Sequence, residues 1–446
     1  MTNVHITTYG CAFNKQDSEI MAGLLKEAGY NLVDSENDAD VVIINSCTVK
    51  NTSETKFFKQ IRKLQKQNKK IVAAGCIPQA EPSYLNTKLK DISVIGINEF
   101  DKVVEIVENV LKGNTLQYLT DLKLSSRKEY QAIKEKIRFL SPKLRETKLT
   151  EILPINEGCL SNCKYCKTKQ SRGNLFSFSP GAIKKRMEFA ISEGVKEIYL
   201  TSQDIACYGI DIGTNLVELL KELTKIPGDY KIRLGMGNPK QFIPIIDDLL
   251  NLMEKEDRIY KFLHIPMQSG SNRILKEMNR GNTVEEYMTI VTKIKNRFPD
   301  LTLANDIIVA YPTETDDEFR KTLLILKKSQ TDVLNYSRFW LRPNTPAESY
   351  TKSQFIIGGI SKDRSKEIRQ KFESQAFKQN TKWIGWMGEV LVSEMGKEGT
   401  NSIIARNYAY KPIILKNKEK KLKIGDKIKV KITDCTWFDF KGKIII

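Results

Sequence analysis

Three closely spaced cysteines carry the strongest chemical signal in the sequence. Cys159, Cys163 and Cys166 follow a predicted strand, with three and then two residues between them. Soft thiolate ligands select iron–sulfur clusters, and a four-iron cluster on three cysteines leaves one iron open for a substrate or cofactor. A structural zinc site needs a fourth ligand, and no other cysteine or histidine lies within about twenty residues. The spacing therefore predicts a three-cysteine iron–sulfur cluster.

Cys11, Cys47 and Cys76 form a second set, although they are distant in sequence. Each follows the C-terminal end of a predicted strand. These strand ends face a common crevice in an open α/β sheet, so we expect the three thiols to converge. Free cysteines also pack as small hydrophobic residues. Their identical placement favours a second three-cysteine cluster instead.

The other cysteines and the two histidines give weaker signals. Cys207 and Cys435 are expected to be inert, and His5 lies in a predicted buried strand as a packing residue. His264 stands at the C-terminal end of another predicted strand, where it fits either a structural role or a place in the site.

The elements that position these residues begin with a small open α/β sheet. Residues 1–112 alternate runs rich in Val and Ile with helical patterns. The predicted strands are Val4–Thr8, Val41–Asn45, Ile71–Ala74 and Ser93–Ile97, and the helices are Asp17–Glu27, Ser53–Gln67 and Glu99–Leu111. No GxGxxG motif follows the first strand, so no dinucleotide site is predicted there.

Six further strand–helix units follow a polar connection over residues 113–150, which contains one basic helical stretch, Arg127–Phe139. The predicted strands are Ile152–Ile155, Glu197–Leu200, Lys231–Leu234, Lys261–Ile265, Ala304–Val309 and Val333–Phe339. This repetition predicts a whole or partial barrel with its chemistry at the C-terminal strand ends.

The last part of the chain has short alternating strands, typical of a small all-β barrel that binds nucleic acid. They are Glu389–Val392, Ile413–Leu415, Lys427–Ile432 and Lys441–Ile446. The expected organisation is an α/β domain over residues 1–112, a linker over 113–150, a barrel over 151–360, a connecting helix over 361–382 and a β-barrel over 383–446.

Charge and composition indicate the class of partner and compartment. The 446 residues carry a formal net charge of +18, which favours a polyanionic partner. Residues 401–446 hold twelve basic and four acidic side chains with interleaved aromatic residues, which favours RNA binding. The candidate RNA contacts are Arg406, Tyr408, Lys411, Lys429 and Lys431. With no apolar run long enough for a membrane span, no secretory signal and few cysteines, the chain is expected to be cytoplasmic, with no membrane partner.

The cysteine loop at the head of the predicted barrel resembles the radical S-adenosylmethionine (SAM) enzymes. In that superfamily the open iron binds the amino and carboxylate groups of SAM, which is then cleaved to methionine and a 5′-deoxyadenosyl radical. The resemblance places Tyr165 beside SAM. It implies no general base among the site residues, because the radical removes a hydrogen atom.

A narrower resemblance covers nearly the whole chain. Thr8-Tyr9-Gly10-Cys11, Asn45-Ser46-Cys47 and Gly75-Cys76 resemble the N-terminal domain of the radical SAM methylthiotransferases. These enzymes join that domain to a barrel and to a C-terminal TRAM domain, and they carry two [4Fe-4S] clusters. The resemblance therefore implies two clusters and SAM as cofactors, and an electron donor such as a ferredoxin or flavodoxin.

Further segments resemble the archaeal and eukaryotic subgroup that acts on threonylcarbamoyladenosine in tRNA. They are Cys166-Lys167-Thr168-Lys169, Ser171-Arg172-Gly173 and His264-Ile265-Pro266-Met267-Gln268. The resemblance implies Ser202, Gln203, Arg233 and Gln268 as SAM neighbours. Two departures are Gln203, where the subgroup usually has glutamate, and Thr313, at a position that is usually glycine.

The function implied is methylthiolation of carbon 2 of threonylcarbamoyladenosine at position 37, in the tRNA anticodon loop. Two alternatives share both clusters: methylthiolation of isopentenyladenosine in tRNA, and of an aspartate of a ribosomal protein. A third, from another class, is a non-catalytic iron–sulfur protein that binds RNA. The basic C-terminal barrel disfavours the ribosomal substrate, and six strand–helix units with a cluster at the catalytic face disfavour the third.

Overall fold

The computed structural model describes residues 1–48, 51–119, 127–417 and 422–445. The N-terminal part is a six-stranded parallel sheet in the order β2-β1-β3-β4-β5-β6. Its strands are β1 (Asn3–Tyr9), β2 (Asn31–Leu32), β3 (Val41–Ser46), β4 (Lys70–Gly75), β5 (Ser93–Ile95) and β6 (Gln117–Tyr118). Its helices are α1 (Ala12–Glu27), α2 (Asn51–Lys66), α3 (Cys76–Ala80) and α4 (Val103–Leu111). The four predicted strands are confirmed, and two short strands at the sheet edges were not predicted.

The sheet is covered on both faces, as continuous apolar strands require. Every residue of β3 is buried. Alternate residues of β3 point to opposite faces: Val41 and Ile43 pack in one core, and Val42 and Ile44 in the other. Because both faces are packed, the only open positions of the central strands are their ends, which is where the cysteines lie.

The connection contributes α5 (Arg127–Glu135) and a π-helical turn, Lys136–Leu140. The sequence predicts a basic helical stretch here, and the helix is confirmed. Its cations are not all solvated, however, because Lys134 and Arg138 are buried. Burial of basic side chains requires acidic partners, and these belong to the flanking domains.

The central part is an open barrel of six parallel strands, divided into two three-stranded sheets that isolated bridges join. The strands of these sheets are β7 (Thr150–Pro154), β10 (Glu197–Thr201), β11 (Lys231–Leu234), β12 (Phe262–His264), β13 (Thr302–Val309) and β14 (Val333–Arg338); a separate short pair is β8 (Asn156–Glu157) and β9 (Phe176–Ser177). The helices are α6 (Thr168–Arg172), α7 (Pro180–Ser192), α8 (Leu216–Leu223), α9 (Pro239–Phe242), α10 (Ile246–Lys255), α11 (Asn272–Glu277), α12 (Val284–Arg297) and α13 (Asp316–Lys328). All six predicted strands of the barrel are confirmed.

The C-terminal part begins with the long helix α14 (Gly358–Asn380) and ends in a closed five-stranded barrel. Its strands are β15 (Met387–Met395), β16 (Ser402–Arg406), β17 (Pro412–Lys416), β18 (Lys427–Cys435) and β19 (Phe440–Ile444). β16 was not predicted, because only Ile403 and Ala405 of its five residues point into the core. Among the described residues, no helix is long and apolar enough to cross a membrane.

The turn between β16 and β17 docks the small barrel against the large one. The Tyr410 ring of this turn packs against the rings of Tyr260 and Phe262 of the large barrel, with centroids 4.9 and 5.5 Å away. Tyr410 has a φ of 60°, a left-handed conformation that costs a non-glycine residue free energy. The Thr302 hydroxyl also donates to the Ala409 carbonyl at 2.7 Å. The turn therefore closes the barrel at the end opposite the cysteine loop.

We expect Tyr410→Ala to destabilise this docking by about 3–5 kcal/mol, as loss of a buried aromatic ring does. Removal of the buried ring leaves a cavity among Tyr199, Tyr260 and Phe262. Denaturant unfolding measures the loss, with Phe438→Ala as control because Phe438 is 61% exposed. Equal effects of the two substitutions would contradict this role of Tyr410.

Candidate iron–sulfur and cofactor site

The cysteine loop of the barrel is fixed by main-chain hydrogen bonds to two separate segments. Cys159 N–H donates to the Gly173 carbonyl at 3.3 Å, and Lys164 N–H donates to the Met278 carbonyl at 2.9 Å. Gly158 starts the loop with a φ of 75°, and a Cβ there would lie 2.0 Å from the Asn174 carbonyl oxygen. Only glycine fits this approach, so the first cysteine of the loop has a defined position.

The sulfur atoms of this loop have donors directed at them. Arg280 Nη1 donates to Cys163 Sγ at 3.6 Å, and Thr168 N–H donates to Cys166 Sγ at 3.4 Å. Burial raises the pKa of the Cys159 thiol to about 12 and also raises the pKa of Cys166. Donors around buried sulfurs fit thiolates that carry a metal cluster, because they stabilise the charge that burial disfavours.

The second cysteine set converges at the C-terminal edge of the N-terminal sheet. Cys11 follows β1, Cys47 follows β3, and Cys76 begins α3 directly after β4. A hydrogen bond with Cys47 lowers the pKa of Cys11 to about 6. The Asn14 side chain contacts two cysteines of the set. Its Oδ1 accepts from Cys11 Sγ at 3.4 Å, and its Nδ2 donates to Cys76 Sγ at 3.7 Å. The expected convergence of three strand-end thiols is therefore present in the structure.

None of the eight cysteines is in a disulfide, so both sets remain available as ligands. Within the described ranges, no group of three or more His, Cys, Asp or Glu side chains is arranged to hold a single metal ion. Thiolates are the ligands of iron–sulfur clusters, and the residues present fit that donor chemistry. Each of the two cysteine sets therefore fits one cluster of this kind.

Polar side chains line the open, C-terminal end of the barrel. His264 Nε2 lies 3.0 Å from Asp306 Oδ1, and Asn335 Nδ2 donates to the same oxygen at 2.8 Å. The Ser202 hydroxyl is buried there and has no protein partner. Gln268 adopts a φ of 74° and bridges β13 through its main chain, donating to Asp306 and accepting from Ile308.

Two of the predicted SAM neighbours have protein partners that restrict them. Gln203 Oε1 accepts from Gly158 N–H at 2.8 Å, so this oxygen already orients the cysteine loop. The Arg233 guanidinium lies between the rings of Tyr199 and Phe262, at 4.5 and 4.6 Å. It also lies 5.3 Å from the Tyr410 ring, at the closed end of the barrel. Its alternation on β11 directs Arg233 into the barrel near the docked turn, and its contact with SAM stays a prediction.

Tyr165 and Thr313 were also named from the sequence. Tyr165 is half-buried beside Tyr311, with ring centroids 6.3 Å apart, and its place beside SAM stays a prediction. Thr313 has a φ of 67°, the left-handed conformation that a glycine favours. Arg273 donates to both the Thr313 hydroxyl and its carbonyl, at 3.1 and 2.8 Å, which holds the turn.

Some of the predicted RNA contacts are exposed, and others are covered and held in ion pairs. Lys429 and Lys431 are exposed on β18, and Tyr408 is 38% exposed. Lys411 is buried and pairs with Asp332 at 2.8 Å, which corrects the expectation that it contacts RNA. Arg406 is also largely covered, since it pairs with Glu394 at 2.7 Å and lies over the Tyr410 ring.

Three buried residues near the cysteines were not assigned to the site from the sequence. Arg280 contacts Cys163, and Arg172 follows the cysteine loop at the end of α6. Asp204 accepts from Asn238 N–H at 3.0 Å, and burial raises its pKa to about 6. Cys207 donates its thiol to the Asp204 carbonyl at 3.0 Å, which fits its expected inert role.

Comparison with protein families and solved structures agrees with this three-part organisation. Residues 3–96 match the uncharacterized protein family UPF0004, residues 153–326 match the radical SAM superfamily, and residues 385–445 match the TRAM domain. The radical SAM methyltransferase TsrM from Kitasatospora setae is similar with a TM-score of 0.52 at 12% identity, covering 78% of this chain and 77% of that chain. The cobalamin-dependent radical SAM enzyme OxsB has a TM-score of 0.51 at 13% identity, covering 83% and 56%. These two likenesses establish the fold.

Curated relatives are similar over nearly the whole chain. A probable threonylcarbamoyladenosine tRNA methylthiotransferase of Pyrococcus horikoshii is 38% identical over 410 residues, 92% of this chain and 93% of the relative. One from Archaeoglobus fulgidus is 37% identical over 442 residues, 99% and 98% of the two chains. The human threonylcarbamoyladenosine tRNA methylthiotransferase is 39% identical over 413 residues, 92% of this chain and 69% of the relative. This chain, a radical SAM enzyme with two cysteine triads, belongs to the threonylcarbamoyladenosine tRNA methylthiotransferase family.

Proposed function

We propose that this protein transfers a methylthio group to carbon 2 of threonylcarbamoyladenosine at position 37 of tRNA. The observation that carries the proposal is the juxtaposition of the two cysteine triads. Helix α3 begins at Cys76 and packs against α6, which begins two residues after Cys166. A reaction that joins sulfur delivery to radical chemistry needs both centres at one interdomain cleft.

Each triad has a separate role in this proposal. Cys159, Cys163 and Cys166 would hold the cluster that binds SAM, and Cys11, Cys47 and Cys76 would hold the other. When bound, the two clusters and SAM supply the electron, the radical and the methyl group that amino-acid side chains lack. The protein binds and orients these groups, and it leaves one end of the barrel open to the substrate.

The open end of the barrel fits a nucleobase that has left the anticodon-loop stack. Loop bases unstack at little free-energy cost, so a base at position 37 reaches an enzyme interior more readily than a paired one. Ser202 offers a buried hydroxyl without a protein partner, and His264 and Asp306 line the same interior. The docked turn at Tyr410 closes the other end, which excludes water from that direction.

We expect Lys429→Ala/Lys431→Ala to weaken tRNA binding and to lower the salt-dependence slope by about 2, because each phosphate contact contributes about 1. Both lysines are exposed on one face of β18, since Val430 and Ile432 between and beside them point inward. Binding titrations at several salt concentrations measure the slope.

The control for this pair is Lys221→Ala/Lys225→Ala. These two lysines are exposed on and just beyond α8, with side chains 49% and 66% accessible. They carry the same charge but lie outside the small barrel. If both double variants lowered the slope equally, the binding would be a general charge effect and not a property of the TRAM domain.

Nucleoside mass spectrometry tests the proposed reaction directly. The anaerobically reconstituted protein is incubated with SAM, a reductant, sulfide and tRNA that contains threonylcarbamoyladenosine. We expect the methylthio nucleoside after digestion of the RNA. SAM cleavage with an unchanged nucleoside would contradict the substrate, and tRNA with isopentenyladenosine or the ribosomal protein would then be assayed. No SAM cleavage at all would contradict the radical assignment.

The proposed reaction requires an electron donor, and a small ferredoxin or flavodoxin fits this need. Two oxygen-sensitive thiolate clusters and eight cysteines outside any disulfide are suited to a reducing compartment, which supports the cytoplasm as the site of action. Reduction of the reconstituted protein by purified ferredoxin or flavodoxin, followed by its absorbance, tests this partner.

A further inference from the structure

A buried network of five charged side chains lies between the N-terminal domain and the barrel. Asp17 is in α1, Lys134 and Arg138 are in the connection, Glu157 is in β8, and Arg172 ends α6. All five are at most 3% exposed. The network therefore joins three separate parts of the chain where no water is available to screen the charges.

Arg172 is the link between the two domains in this network. Its Nη2 donates to Asp17 Oδ2 at 2.7 Å, and its Nη1 donates to Glu157 Oε1 at 2.7 Å. The guanidinium also lies 4.3 Å from the centroid of the Phe13 ring. Its two contacts in the N-terminal domain, Phe13 and Asp17, are both in α1, the helix that follows Cys11. Arg172 itself ends α6, the helix that follows the cysteine loop of the barrel, so it connects these two helices.

The charges within the network do not balance. Lys134 and Arg138 also pair with the two carboxylates, so three cations share two anions. Burial lowers the pKa of Lys134, but only to about 8, so the lysine still carries its charge at neutral pH. One positive charge is left over, and an uncompensated buried charge is strongly unfavourable.

The N-terminal cysteine triad is the anion-forming group next to this excess charge. The Arg172 guanidinium lies 4.3 Å from the ring of Phe13, two residues after Cys11, and the next residue, Asn14, contacts both Cys11 and Cys76. Helix α3, which begins at Cys76, packs against α6, which ends at Arg172. Three thiolates bound to iron would supply the negative charge that the network lacks.

We propose that Arg172 is a positioning residue that supplies the counter-charge of the N-terminal cluster and fixes that cluster relative to the cysteine loop of the barrel. The inference rests on the proposed assignment of a cluster to Cys11, Cys47 and Cys76. It goes beyond that assignment, because it names what sets the electronic properties of the cluster. A nearby cation stabilises the reduced, more negative state, so it raises the reduction potential.

The test measures the reduction potential of the N-terminal cluster by itself. The full chain with Cys159→Ala/Cys163→Ala/Cys166→Ala retains one triad, and a redox titration followed by electron paramagnetic resonance gives its potential. In this background we expect Arg172→Gln to lower the potential and to weaken iron binding by about 10- to 100-fold, as loss of a residue that orients metal ligands does. Asp17→Asn removes an anion from the same network, so it should raise the potential.

Two further variants separate charge from position. Arg172→Lys keeps the charge but loses the two-pronged contact with Asp17 and Glu157. We expect it to keep the potential, and in the otherwise intact enzyme to lower methylthio transfer more than SAM cleavage. Arg186→Gln is the matched control, because Arg186 is a buried arginine that pairs with Glu151 at 2.9 Å in another part of the barrel. It should leave the potential unchanged.

The outcomes distinguish this inference from the proposed function. If the chain with Cys159→Ala/Cys163→Ala/Cys166→Ala bound no iron, the assignment of a cluster to the N-terminal triad would fail and the inference with it. If iron bound but Arg172→Gln and Asp17→Asn moved the potential in the same direction, or by no more than Arg186→Gln does, the counter-charge role would be overturned and the cluster would stand.

Discussion

Replacement of Cys163 by alanine is expected to abolish SAM cleavage and, with it, methylthio transfer. Cys163 is the central ligand of the loop, and Arg280 donates to its sulfur at 3.6 Å. The two remaining cysteines would not hold the cluster, so the iron that SAM requires would be lost. The rate should fall by more than about 10³-fold, to the background without enzyme, since enzymatic rate enhancements exceed about 10⁶-fold.

Formation of 5′-deoxyadenosine, followed by chromatography, measures this loss. Cys435→Ala is the matched control, because Cys435 is a buried cysteine in the core of the small barrel. It should leave SAM cleavage unchanged. Iron analysis accompanies both variants, and we expect about half the iron of the wild type in Cys163→Ala, since the other three-cysteine set remains. SAM cleavage that survived in Cys163→Ala would remove the cysteine loop from the reaction.

The sequence predicted the parts of the site that local pattern determines. Hydrophobic periodicity identified the inner strands of both sheets, and parallel strands in one sheet end on the same side. The convergence of Cys11, Cys47 and Cys76 followed from these two facts. The Cys159–Cys166 loop needed only its own spacing, because its three cysteines are neighbours in the chain.

Contacts between domains could not be predicted in the same way. Asp17 and Arg172 are 155 residues apart, and nothing in the local sequence of either residue marks it as buried. Lys411 carries the same charge as the exposed lysines of β18, yet its turn enters the interface with Asp332. Arg233 was assigned by resemblance as a SAM neighbour, and the aromatic rings that surround it, Tyr410 among them, come from other segments. In each case tertiary contacts decide the surroundings of the side chain, and sequence periodicity carries no information about them.

The burial of charged side chains in and after helix α5 could not be predicted from the sequence either. Its sequence indicates a basic helix, because Lys and Arg recur along it, and says nothing about their burial. Lys134 instead pairs with Glu157 in the interior, and Arg138, in the turn that follows the helix, pairs with Asp17. The acidic partners come from β8 and α1, so the burial of this segment depends on two domains that meet only in the folded chain.

Replacement of Cys47 by alanine is expected to separate the two activities that Cys163→Ala abolishes together. Cys47 lies at the end of β3, in the N-terminal domain, and its thiol is hydrogen-bonded with Cys11. SAM cleavage at the barrel should continue at the wild-type rate, because the cysteine loop is intact. Methylthio transfer should fall to the background, because two cysteines do not hold the N-terminal cluster.

The two products are measured in one reaction, 5′-deoxyadenosine by chromatography and the modified nucleoside by mass spectrometry. Cys11→Ala and Cys76→Ala should behave as Cys47→Ala does if the three thiols serve one centre, and each should retain about half of the wild-type iron. A variant that kept full transfer would show that its cysteine is only a packing residue of the sheet edge. Loss of both products would mean that the N-terminal centre is needed for the barrel chemistry itself, and the separation of roles between the two triads would then be wrong.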